Sequence, residues 1–91
     1  MIGEERMLET IKDELVEIAD LLYQEDVQSA YQKLSMVIPK MMEALGSVED
    51  EESKNLLITK LSSALEAMEN EDYLLLADVI QYELLETLEQ I

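Results

Sequence analysis

Four stretches of apolar residues at 3–4 spacing, separated by three short polar breaks, constrain this chain most. That period suits a helix with one buried face and fits no strand. In the first stretch Met7, Leu8, Ile11, Leu15, Ile18, Ala19 and Leu22 fall on one face, which predicts a helix from about Glu4 to Leu22. The second stripe is Val27, Ala30, Tyr31, Leu34, Ile38, Met41, Met42 and Leu45, opened by Glu25-Asp26 and closed by Gly46, a helix from about Asp26 to Leu45. Pro39 lies inside it and lacks an amide donor, so a kink is expected near Val37-Ile38, with the apolar register kept on both sides. Beyond the polar stretch Gly46 to Ser53 a third stripe runs through Leu57, Ile58, Leu61, Ala64, Leu65 and Met68. Asn70-Glu71-Asp72 then repeats the corner Gln24-Glu25-Asp26, and a fourth helix carries Tyr73, Leu76, Ala77, Ile80, Leu84, Leu88 and Ile91 to the C-terminus.

Displacing the chain by 46 residues aligns its two halves. Ile11 then pairs with Leu57, Leu15 with Leu61, Ile18 with Ala64, Asp26 with Asp72, Leu34 with Ile80 and Ile38 with Leu84. Each half reads as two helices joined by a very short corner, and short corners force antiparallel neighbours. The expected fold is all-α, an antiparallel up-down-up-down four-helix bundle made of two similar helical hairpins, with residues 1–91 as one domain. With two Gly, one Pro and no β-branched or aromatic runs, no sheet is expected.

Composition removes several function classes. The chain has no cysteine and no histidine, so disulfides, thiolate or imidazole metal sites and Ser-His-Asp chemistry drop out. Its 22 acidic and 6 basic residues give a formal net charge of −16, which repels phosphate backbones and anionic lipid, so neither nucleic acid nor a membrane surface is an expected partner. No apolar run approaches the ~20 residues of a membrane span, and Met1 to Arg6 lack the layout of a signal peptide. The expected location is the cytoplasm.

Glu14, Glu17 and Asp20 recur every third residue in Asp13-Glu14-Leu15-Val16-Glu17-Ile18-Ala19-Asp20. This string resembles the acidic helix of the all-α nucleotide pyrophosphatases of the MazG type, and the resemblance implies a magnesium-dependent hydrolase as the alternative reading. Two departures weigh against it: Asp13 stands where the family has Glu, and Leu75 precedes Ala77-Asp78 where the later helix needs Glu-x-x-Asp. These carboxylates also fall on the side away from the apolar stripe, where a solvated face explains them. Glu49-Asp50-Glu51-Glu52 lacks the alternating ligands and central Gly of a calcium loop and reads as a solvated loop. Neither metal nor cofactor is expected, and the chain is read as no enzyme.

The fourth helix holds more apolar surface than a bundle core requires. Leu75, Val79 and Tyr82 follow i, i+4, i+7 spacing on its back, flanked by Asp78, Glu86 and Glu89. They are the expected partner-binding residues, taking either another protein or a second copy of the chain in a weak homodimer. The segment from Glu71 to Leu84 resembles uncharacterised small acidic helical-bundle proteins of Gram-positive bacteria. In size and architecture the chain is distantly similar to flagellar export chaperones. That likeness implies an adaptor or chaperone-like role.

Overall fold

The computed structural model describes residues 2–90, with side chains from Arg6 to Gln90. Helix α1 spans Ile2–Tyr23, α2 spans Val27–Leu45 and α3 spans Glu51–Glu69. Helix α4 covers residues 73–89 in three parts: α-helical over Tyr73–Asp78, π-helical over Val79–Leu84 and α-helical again over Leu85–Glu89. Four helices and no strand are present among the described residues. Ile91, assigned to the fourth stripe from the sequence, lies outside them.

The two short corners share one hydrogen-bond scheme. Glu25 N–H donates to Leu22 O and Asp26 N–H to Leu21 O; 46 residues on, Glu71 donates to Met68 O and Asp72 to Ala67 O. This pairing of bonds from the second and third residues past a helix satisfies its orphan carbonyls and turns the chain through one left-handed residue. Glu25 and Glu71 occupy that residue, with φ of 65° and 57°. Asp26 and Asp72 then cap the next helices, accepting from Ser29 N–H and Leu75 N–H. The corner between α2 and α3 is built differently: Gly46, Ser47 and Val48 donate three residues back, and Gly46 is right-handed at φ −63°. Asp50 opens α3 by accepting from Glu52 N–H and from the Ser53 hydroxyl. Glu51, Glu52 and Ser53 are thus helical, a correction to the expected solvated loop, and acidic residues belong in that first turn because they oppose the helix dipole.

Helix α2 runs unbroken through Pro39, which is exposed, so the missing amide costs one bond on the solvent side. Its buried face is Ala30, Leu34, Val37, Met41, Ala44 and Leu45. Helix α1 packs along both α2 and α4, and α3 packs along α4, whereas α2 and α3 share no comparable interface. The two central helices each carry a run of fully buried large side chains, Ile11, Leu15 and Ile18 on α1 and Leu76, Ile80 and Leu84 on α4, joined by Ala30 and Val37 of α2. Met42 and Ile58, assigned to core stripes from the sequence, are exposed on the outer helices. Three lysine–carboxylate pairs tie neighbours together: Lys40 with Glu14 at 2.8 Å and Lys33 with Glu17 at 3.0 Å between α1 and α2, and Lys60 with Glu83 at 2.8 Å between α3 and α4.

Candidate functional site

The two matching corners lie at the same end of the molecule, and a depression of about 480 Å3 opens between them. Leu22, Tyr23, Glu25 and Val27 line it from the first corner, Asp72, Tyr73 and Leu74 from the second. Its walls are apolar side chains of the helix ends, and its carboxylates come from corner residues whose backbone is fixed by the bonds just described. Beneath it Tyr31 donates to Met68 O at 3.1 Å and meets the Tyr73 ring edge-on, centroids 5.9 Å apart. Loss of solvent, reinforced by Tyr73 and Glu71, pushes the Tyr31 hydroxyl above its ordinary pKa.

From this end an exposed surface continues along the outer face of α4. Leu74 is 67% exposed, Leu75 48% and Tyr82 62%. Tyr23, 41% exposed, reaches across from α1 and donates its hydroxyl to Asp78 Oδ1 at 2.7 Å. That bond to a carboxylate favours the neutral phenol and raises its pKa from 10.0 to about 12, with desolvation and the charges of Asp78 and Tyr82 adding to it. Leu74, Asp78, Tyr82 and Glu86 are all exposed and follow one another at every fourth position. The surface thus alternates apolar and acidic groups along one row.

Val79 does not belong to this surface. It is only 3% exposed and lies with Ile80 and Leu84 in the core, which corrects its placement on the back stripe. The cause is the π segment. Leu85 N–H donates to Ile80 O, five residues back, and such a turn advances roughly 80° per residue instead of 100°, which brings Leu84 and Thr87 round to the side of Val79 and closes one buried arc. Thr87 is buried with them, its hydroxyl donating to Glu83 O at 2.7 Å. Sequence reasoning missed Leu74 and Tyr23 as members of the exposed patch. Leu74 lies on an edge of the apolar stripe, and Tyr23 is the last residue of its helix, where a wheel gives no partner.

The acidic face of α1 is arranged as a set of separate pairs. Glu14 and Glu17 each bridge to a lysine of α2, while Asp13 and Asp20 are exposed. No group of three or more metal-ligating side chains converges among the described residues. No helix of those residues is long and apolar enough to cross a membrane. No curated protein and no solved structure matches this chain. A family model described as a domain of unknown function, DUF8042, matches residues 5–91, nearly the whole length, and the chain belongs to that family.

Proposed function

We propose that the chain is a non-enzymatic protein-binding module of the cytoplasm, adaptor or chaperone-like, whose contact surface is the outer face of α4 with the adjoining corner end. The carrying observation is the exposure of Leu74, Leu75 and Tyr82 beside a Tyr23 held in place by Asp78, while the opposite face of the same helix is closed. Large apolar groups gathered on one exposed face mark contact surfaces more often than chance exposure does. Covering four such side chains at ~25 cal/mol per Å2 contributes a few kcal/mol, part of which is consumed by the entropy cost of association. Weak, reversible capture of a protein partner, or weak self-association, is the behaviour that fits. The short corners and the packing of α1 on α2 and α3 on α4 support an antiparallel up-down-up-down arrangement of two hairpins, which puts both corners at one end as a rigid frame for the surface.

The test is site-specific photocrosslinking in the native cell. A benzophenone side chain at position 82 should give a discrete adduct, whereas the same group at Met36, equally exposed on α2, should not. Adducts at neither position, or the same adducts at both, would remove the assignment. A thermal shift on adding magnesium and nucleotide would point instead to an enzyme, since a ligand of the folded state raises its melting temperature.

A further inference from the structure

We infer that the surface on α4 takes a helix of a partner protein with apolar residues on one side and Lys or Arg beside them, in preference to a second copy of this chain. The inference rests on the binding role proposed above and names its partner's chemistry. Its basis is the charge of that face. The row Leu74, Asp78, Tyr82, Glu86 alternates apolar and acidic side chains, and Glu25 and Asp72 line the depression at its end. No Lys or Arg follows Lys60 in the sequence, so α4 carries no cation of its own. Lys33, Lys40 and Lys60 are engaged with Glu17, Glu14 and Glu83. The patch is therefore an apolar strip beside carboxylates on a helix without a cation of its own, in a chain of net charge −16, which attracts a positive partner and rejects a negative one.

A symmetric pair of chains is the poorer occupant for the same reason. Two-fold pairing through this face lays the acidic row of one copy, Asp78 and Glu86, alongside the acidic row of the other, between molecules of net charge −16. A helix with basic residues at every fourth position beside its leucines meets the row group for group. The depression, walled by Tyr23 and Tyr73 and carrying Glu25 and Asp72, suits the stem and charge of one Lys or Arg at the helix end.

Two synthetic helical peptides with one leucine stripe, differing only in Lys or Glu on the flanking positions, test this against the full-length chain by fluorescence anisotropy. The Lys peptide should bind at least about tenfold tighter than the Glu peptide, and its affinity should fall on going from low to high salt. Leu74→Ser and Tyr82→Ser leave the charge unchanged and should each weaken the Lys peptide by about tenfold, with Met36→Ser as the control that does not. Equal binding of both peptides, lost in Tyr82→Ser, would overturn the charge selection and leave the binding surface standing. Lys-peptide binding indifferent to Leu74→Ser and Tyr82→Ser would show attraction to the acidic chain at large and overturn the inference. Binding of neither peptide, with self-association lost in Tyr82→Ser, would assign the face to a second copy. Binding of neither by a chain that stays monomeric would remove both the inference and the surface it rests on.

Discussion

At Glu25 and Glu71 the backbone adopts φ of 65° and 57°, where a Cβ crowds the following carbonyl and Gly is the usual occupant. The cost of about 1–2 kcal/mol for a non-glycine there exceeds the ~0.5–1 kcal/mol of chain entropy that Gly adds to the unfolded state. Glu25→Gly and Glu71→Gly should each stabilise the fold by about 0.5–1 kcal/mol in urea denaturation, while Glu25→Ala should bring no such gain. From the sequence the turn residue was legible at neither corner, because Glu is no signal for a left-handed site. The Gly that promised one, Gly46, is right-handed. A second residue-scale expectation concerns Tyr23, whose hydroxyl is raised from 10.0 to about 12 by its bond to Asp78. Because the folded value lies above the unfolded one, any stabilisation is fully present below pH 10 and is lost as pH rises towards 12. Alongside the raised Tyr31, Tyr23 should ionise late in an absorbance titration of tyrosinate on the native chain. Asp78→Asn should bring it back towards the ordinary range, and an unchanged titration would dissolve the contact.

The helical elements were legible because their signal is a period repeated over many residues, and the interruption within α4 was not. A π turn amounts to one extra residue in an otherwise regular helix, and the apolar run Val79-Ile80 with Leu84 and Leu85 reads equally well in either register. Its trace lies in the excess of apolar positions, which one α-helical stripe cannot hold and a widened turn can. The same place is loosened in the other half. Pro39 has no N–H for Ser35 O, and 46 residues on, Leu85 turns from Gln81 O to Ile80 O. If the π segment is one inserted residue, deleting exposed Gln81 should restore an α-helix with Leu84 and Leu88 still facing the core, so the deletion mutant should keep its helicity and cooperative melting. Removing exposed Ser62 from α3, where no slack exists, should instead shift Ala64 and Ala67 off the core and collapse the transition. Val79→Lys should likewise unfold the chain, since it places a charge among Ile80 and Leu84, whereas Tyr82→Ser should leave stability within about 0.5 kcal/mol.

For the molecule as a whole, what the sequence could not supply was which faces meet. Identical apolar stripes predict a core but not its neighbours, and Met42 and Ile58 lie outside the core because α2 and α3, the outer helices, do not close on each other as α1 and α4 do. Net charge was legible in full, and its consequence for stability depends on two opposed terms. Three lysine–carboxylate pairs weaken as salt is added, but each is partly exposed and worth at most about 1 kcal/mol. Against them stands the mutual repulsion of 22 acidic side chains with 6 basic ones, spread over a body only 36 × 23 × 19 Å in extent. Many of these charges lie farther apart than the ~8–10 Å over which physiological salt leaves a field intact, so added salt removes their repulsion before it reaches the contact pairs. Sodium chloride should therefore raise the melting temperature by several degrees, with most of the rise complete near physiological strength. Replacing Glu14 by Gln should enlarge that rise, because it removes an attraction that salt would otherwise weaken. A melting temperature that falls with salt would show that the pairs of α1 with α2, not the excess of negative charge, dominate the electrostatics of the fold.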